Sequence, residues 1–552
     1  GICRRVCPTE SVNEFQRDIC RLCPDCAPDK PEMLADESKE YATAHACSLQ
    51  CPLGTVPEGY VNLIAERKFD LAYEVIRELN PLPSTCSMIC HHPCEEDCKR
   101  GLLRDEPIAI RALKRFVLEN TAPKPLKFDQ QFDQKIAIIG AGPAGLTAAA
   151  DLAAKGYKVK IFEAAGEPGG MAKRAIPDFR IDKKKLAEEI QLLIDAGVAI
   201  EYGCRIGKNP SIKQLLDDRY GAILIAVGAS QGVKLPIPGA DGDQVYDALS
   251  LMQLMNAKQV TRKRAEGGRR CVIGDKAVVI GGGSVAMDTA RALKRLGLDV
   301  TCVCLESGGE VPAPAWELAE AKADGVELIE GVSPVQILVD LFEVKGIELK
   351  KVESIGKDER GRLRPVTIDG SEFTLDCDTV VFATGQKTDI RFLADGGNLK
   401  TDGAGRIAFN ADTLETSNSR VFVAGDIVEA RGSVISAMAS GRKAALSLDN
   451  LLQGRNLIDS AAVKTPHLAP NEEKIFPAVR LERLDPQPVP KREFKADFEQ
   501  VELVYDEEAA VAEAKRCMKC GYSIVDTDEC LGCGVCVKLC PERAISLVKI
   551  ES

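Results

Sequence analysis

Residues 135–164 read KIAIIGAGPAGLTAAADLAAKGYKVKIFEA: an apolar strand, a glycine turn, a helix-forming run and a second apolar strand closed by an acid. The turn is G-x-G-x-x-G. Gly140 permits the tight bend, Gly142 lets the backbone approach a pyrophosphate with no Cβ in the way, and Gly145 lets the helix pack close to the strand. Pro143 and Ala144 open the helix, at whose positive N-terminus phosphates sit. Glu163, eighteen residues past Gly145, ends the second strand and is placed to accept hydrogen bonds from a ribose diol. A tight turn without a ligand is the competing reading, and the strand, helix and acid in their places argue against it.

The pattern recurs at 276–307, KAVVIGGGSVAMDTARALKRLGLDVTCVCLES. Gly281 and Gly283 hold the first two glycine positions, Ser284 and Val285 follow, and Ala286 stands at the third, still small enough for close packing. This second strand, in VTCVCLES (300–307), ends in Glu306. A 2′-phosphate needs an arginine there, whereas a carboxylate repels it and suits the free 2′-hydroxyl of NAD. NAD(H) is therefore expected, with NADP(H) second. If Glu306 is merely an exposed strand end, Arg291 or Arg295 is left to serve NADP.

Strand, glycine turn, helix and strand repeat from Lys135 to about Leu452, which predicts an α/β fold with two dinucleotide-binding units. Before them, residues 1 to about 125 are cysteine-rich, with Tyr60, Leu63 and Ile64, then Ala72, Val75, Ile76 and Leu79, at helical spacing. Residues 453–510 carry many prolines and charges, including DPQPVPKREF at 485–494, and read as a linker packed along a surface.

With 552 residues, 45% apolar and 5% aromatic, the chain is several domains long and able to bury its cores. Its net charge of −11 argues against a nucleic-acid partner, and the clusters Lys183-Lys184-Lys185 and Arg262-Lys263-Arg264 read as solvated faces. No uncharged apolar stretch reaches about 18 residues, so no membrane insertion is expected. No secretory leader is expected either, and the location expected is the cytoplasm. The chain begins with Gly1 rather than Met, so its start is expected to be missing or processed.

Of 22 cysteines, eleven lie before residue 99 and six after 516, in C-x2-C and C-x3-C spacings that suit metal rather than disulfides. Five in the middle, Cys204, Cys271, Cys302, Cys304 and Cys377, are expected to be buried structural thiols. DECLGCGVCVKLCPERAI (528–545) carries Cys530, Cys533, Cys536 and Cys540-Pro541, the C-x2-C-x2-C-x3-C-P run of a ferredoxin-type [4Fe–4S] module. A zinc knuckle is the competing reading, against which the three closely spaced cysteines and the C-P tail argue. Cys517 and Cys520, in RCMKCG, are expected to supply remaining ligands of a second cluster. At the other end, Cys20, Cys23 and Cys26 form another C-x2-C-x2-C set, and Cys3-x3-Cys7-Pro8 looks like the tail of a ferredoxin motif.

Residues 135–455 resemble the pyridine nucleotide-disulfide reductase superfamily, and 47–455 resemble the small subunit of glutamate synthase and its relatives. Those relatives include the amino-terminal half of dihydropyrimidine dehydrogenase and the large subunit of the bifurcating ferredoxin:NADP transhydrogenase. The resemblance rests on GAGPAGL, GGMAKRAIPDFRI from 169, VIGGGSVAMD from 279, VFATGQKTD from 381 and VFVAGDIVEARGSVISAMASGRKAA from 421. It implies a glutathione reductase-like flavoprotein with FAD in the first unit. Asp426, after Gly425, would bond the ribityl chain, Gly170 and Met171 would lie near the cofactor, and Val434 and Ile435 near the flavin ring. Thr384 and Gly385 belong to the same cofactor-binding set.

The resemblance further implies a helical iron–sulfur domain over 1–125 and an FAD domain over 135–245 and 376–455. A nicotinamide domain is inserted at 246–375, and a linker at 456–510 leads to a ferredoxin-like module at 511–552. Cys47-x3-Cys51-Pro52 and Cys86-x3-Cys90-x3-Cys94-x3-Cys98 match the family's cluster cysteines. Two departures are visible: the C-x2-C upstream of Cys47 is absent, and Lys114 stands where relatives offer a Gln or Glu ligand. His91 and His92, beside Cys90, read as surface or supporting groups. Two to four clusters are expected in all. The family's NADPH users carry a pair of arginines where this chain has Leu305-Glu306, which again favours NADH.

No C-x2-C lies in the flavoprotein region, so disulfide reduction is not expected. Hydride transfer needs alignment of cofactors rather than a side-chain acid or base, so no catalytic side chain is named. The expected activity is that of an FAD-dependent, iron–sulfur NADH:acceptor oxidoreductase within a multi-subunit complex, with a ferredoxin or partner subunit as acceptor. Flavin bifurcation rests on fold analogy alone. The alternatives are the glutamate synthase small subunit itself and an electron-wiring subunit with vestigial nucleotide sites.

Overall fold

The computed structural model describes residues 46–457, apart from 104, 208, 262–270, 342, 359–362, 396–398, 404 and 430–431, then 481–486, 498 and 503–518. Cys3, Cys7, Cys20, Cys23, Cys26, Cys520, Cys530, Cys533, Cys536 and Cys540 lie outside these residues.

The first glycine turn opens from a five-stranded parallel sheet, in spatial order 421–423, 220–225, 135–139, 158–162 and 199–201. Its central strand Lys135–Ile139 is buried from Ile136 onward, as a parallel strand covered on both faces must be. Helices Pro143–Ala154 and Val434–Leu452 cover it, and a Cβ at Gly441 would stand 2.2 Å from the Ala144 carbonyl oxygen. That close approach admits only glycine.

The second sheet is also parallel, in order 327–329, 299–303, 276–280, 379–382 and 245–247. Thr379–Phe382 therefore belongs to the second sheet, although the sequence reading began the returning FAD domain at 376. A short all-buried strand carries no local mark of its sheet; the pairing with Ala277–Ile280 decides it. An antiparallel sheet over 332–375 packs beneath the second one through Val332, Ile337, Ile347 and Phe382.

Helices Pro57–Ala65, Phe69–Glu78 and Ile110–Asn120 enclose a separate core around Tyr60, Ile76, Leu113 and Phe116. Helix Glu507–Lys515 joins it with Ala510 and Ala514, four residues apart on one face. The expected boundary between linker and terminal module at 510/511 thus cuts a helix that packs on the N-terminal unit. Helix Pro83–Ile89 packs the other way: Leu82, Cys86, Met88 and Cys90 share the core of the first sheet. Arg442 fastens this contact, donating to Asp151 at 2.8 and 3.0 Å and to the carbonyls of Leu53 (3.0 Å) and Leu79 (2.6 Å). No helix among the described residues is long and apolar enough to cross a membrane.

Candidate functional site: a cavity over the first glycine turn

A cavity of about 360 Å³ opens over the first glycine turn. Gly140, Gly142, Pro143, Ala144 and Glu163 line one side, with Gly170 and Met171 above them and Gly425, Asp426 and Val434 closing it from the returning chain. Val285 and Asp288 reach it from helix Ser284–Arg295, which follows the second glycine turn, so the second unit borders the same space.

The turn is tight for stated reasons. Gly140 has φ +109°, and a Cβ there would meet the Ala226 carbonyl oxygen at 2.5 Å. At Gly145, beneath the turn rather than in the cavity, a Cβ would stand 2.1 Å from the Gly140 carbonyl oxygen. Glu163 is 6% exposed and anchors the turn as well as facing the cavity. The Ala141 N–H donates to its Oε2 at 2.7 Å and the Ala165 N–H to its Oε1 at 2.8 Å. Asp426 accepts the Ala229 N–H at 3.1 Å, and burial holds its carboxyl above the ordinary range, partly offset by that amide.

The remaining expected residues lie elsewhere. Ile435 is buried in the first core, one residue behind Val434. Thr384 donates to the Val233 carbonyl at 2.7 Å, and the Gly385 carbonyl accepts the Val233 N–H at 3.0 Å, tying the end of the second sheet to the segment leaving the first. Around the second turn, Gly281 needs the absence of a Cβ, which would meet the Ala383 carbonyl oxygen at 2.5 Å. Gly283 faces open space, Ser284 is exposed and Ala286 is fully buried.

The strand ends at Val303, short of the expected Glu306, which is half-buried in the loop beyond it; its carboxylate has no hydrogen bond to any of the described residues. The competing arginines are committed. Arg291 donates to Asp324 at 2.8 Å and pairs with Glu320, Arg295 reaches Asp324 at 3.2 Å, and both guanidiniums stack on Phe179. Neither is left over for a 2′-phosphate.

Sequence reasoning missed several cavity residues. Cys204, expected to be a buried structural thiol, is half-buried and lines the cavity with Arg205 and Phe392. Arg174 lines it too, inside the GGMAKR stretch that was its only signal. Lys183, read as part of a solvated face, donates to the Ala172 carbonyl at 2.7 Å and to that of Ile176, and burial lowers it to about 8.

The thiols cluster around Lys114 and Tyr60, and two of them also line a cavity of their own. Buried Lys114 donates to Cys86 Sγ at 3.3 Å and lies within electrostatic reach of Cys51, Cys90 and Cys94. The Cys90 thiol and then Lys114 outweigh burial and hold Cys86 below an ordinary thiol. Cys47 and Cys98 line a second, smaller cavity. Among the described residues no disulfide forms and no three His, Cys, Asp or Glu groups lie close enough for a single ion. Buried thiols around a fixed cation suit an anionic iron–sulfur cubane, a larger group than one ion.

Comparison with known proteins agrees with this geometry. Residues 134–441 match the pyridine nucleotide-disulphide oxidoreductase family, 36–125 match dihydropyrimidine dehydrogenase domain II with its 4Fe-4S cluster, and 523–546 match a 4Fe-4S binding domain. The chain belongs to the pyridine nucleotide-disulphide oxidoreductase family, and it is an oxidoreductase with that family's FAD/NAD(P)-binding fold and 4Fe-4S domains. It is 34% identical to the NADP(+)-dependent formate dehydrogenase subunit beta of Moorella thermoacetica, over 87% of this chain and 71% of that one. It is 33% identical to the NADPH-Fe(3+) oxidoreductase subunit beta of Geobacter sulfurreducens, over 86% and 75%. It is 35% identical to the NAD-dependent dihydropyrimidine dehydrogenase subunit PreT of Escherichia coli O157:H7, over 77% and 95%.

Proposed function

We propose that this chain is the NADH-oxidising, electron-delivering subunit of a multi-subunit redox complex, passing electrons through its thiol-held clusters to a partner subunit or ferredoxin. The observation that carries the reading is that Cys86 and Cys90 pack in the apolar core of the first sheet, the sheet whose glycine turn floors the cavity, so the thiols sit on the flavoprotein rather than on a separate unit.

FAD, when bound, supplies the two-electron to one-electron conversion. The chain's own residues do the rest. Gly142 and the helix it opens would receive the pyrophosphate, Glu163 would accept the ribose hydroxyls while holding Ala141, and Asp426 would bond the ribityl chain. Val285 and Asp288 bring the second dinucleotide to the same cavity, with Glu306 selecting the ribose that lacks a 2′-phosphate. Cys51, Cys86, Cys90 and Cys94 would hold one cluster beside Lys114. The names of the relatives, two of them beta subunits, support assembly with another chain. Rapid-mixing of the anaerobic chain with NADH tests the reading: flavin bleaching followed by cluster reduction is expected, and a flavin that NADH leaves oxidised contradicts it.

A further inference from the structure

We propose that Cys517 joins Cys47 and Cys98 in holding one [4Fe–4S] cluster, so that the two ends of the chain share a metal site. The two 4Fe-4S models cover 36–125 and 523–546, and Cys517 lies in neither. Its C-x2-C spacing with Cys520 pointed in the sequence to the terminal ferredoxin-like module. The structure points the other way.

Cys47, Cys98 and Cys517 line one cavity, although 51 residues separate the first two (98 − 47) and 419 the last two (517 − 98). Lys99 lines it with a positive charge, beside Arg100, whose guanidinium is paired with Asp105, and the buried carboxylate of Glu58. The approach to Cys517 is built, not incidental. Arg516, 2% exposed, donates to Glu513 at 2.7 Å, to Asp105 at 3.0 Å and to the Glu106 carbonyl at 2.8 Å. Arg100 donates back to the Arg516 carbonyl at 2.6 Å, and the Cys517 N–H donates to the Ala514 carbonyl at 3.1 Å. Removing one partner of so buried a pair would strand the other's charge, so the geometry is held firmly.

The spacing of the N-terminal thiols agrees. Cys51 and Cys94 lie within electrostatic reach of Lys114, while Cys47, which is also within reach of Cys94, lines the cavity with Cys98 and Cys517. Neighbouring cysteines that serve different clusters are a ferredoxin habit. Cys517 thereby replaces a ligand that the absent upstream C-x2-C cannot give.

The inference rests on the iron–sulfur reading above, and the test separates the two. Full-length C517S, C98S and C536S are prepared anaerobically, and iron content and the EPR spectrum of the dithionite-reduced chain are compared. The expected result is that C517S and C98S lose the same signal and the same iron, that the double variant loses no more than either, and that C536S loses a different signal. A C517S spectrum that matches C536S, or that keeps every signal, overturns the assignment. A wild-type chain without iron sinks the broader reading instead. Should C517S lose its flavin as well, showing a folding failure, alkylation of the wild-type chain decides. Cys47, Cys98 and Cys517 should become reactive together as a chelator strips the iron, and a Cys517 already reactive in the loaded chain overturns the proposal.

Discussion

Lys114 Nζ lies 3.3 Å from Cys86 Sγ, with both side chains buried. A fixed cation at that place stabilises the more negative, reduced state of a cluster held by Cys86. K114M should therefore lower that cluster's midpoint potential by on the order of 100 mV, for a unit charge several ångströms away at an effective dielectric of about 20. EPR-monitored redox titration reads the shift. An unchanged potential with unchanged iron content would separate Lys114 from the cluster.

On the proposed reading, Glu306 disfavours a 2′-phosphate while Arg291 and Arg295 stay engaged with Asp324. NADH should exceed NADPH in kcat/KM by about tenfold or more, the effect of about 1.4 kcal/mol of repulsion. E306S should narrow that ratio from the NADPH side. Steady-state kinetics with both nucleotides gives the answer, and a preference for NADPH would remove Glu306 from the role.

The glycine turn makes a stability prediction. In G145A the new methyl group meets a backbone oxygen that cannot step aside, so unfolding should become easier by about 2–4 kcal/mol and bound flavin should fall in proportion. Chemical denaturation and flavin release together measure it.

Glu189 joins the cysteine-bearing helix to the flavoprotein: it accepts the N–H groups of Ser84 and Thr85 and, at 2.7 Å, the Thr85 hydroxyl. E189A should cost about 1–3 kcal/mol by leaving those buried donors without an acceptor. Burial pushes Glu189 up to about 7 from an ordinary value of 4.5, against the pull of these donors. Its folded value is raised, so its contribution to stability is complete below pH 4.5 and is lost as pH rises through about 7. E189Q, with no proton to release, should flatten that part of the slope in thermal melts run from pH 4.5 to 8.

What could be read in the sequence was what local backbone chemistry dictates. Gly140, Gly142 and Glu163 stand on one strand-turn-strand segment, so spacing alone brings them to one cavity. Cys204 and Arg205 follow the strand 199–201 at the sheet edge, and only the sheet order carries them there. Cys517 shows the limit most clearly: its spacing belongs to one module, while Ala510, Ala514 and the Arg516 network dock it on another. Long-range packing of that kind leaves no periodic trace at the cysteine itself. Lys183 was misread for a related reason, because a charge run on a helix does not show which of its members turns inward.

If the cavity and the buried thiols form one electron path, NADH must reduce both flavin and cluster within a single chain. Anaerobic addition of NADH to the full-length chain, followed by optical spectra and then EPR of the frozen sample, tests it most directly. The yellow absorbance should bleach and a reduced [4Fe–4S] signal should appear in the same sample. A chain that is colourless, or one whose flavin bleaches while every cluster stays oxidised, would contradict it.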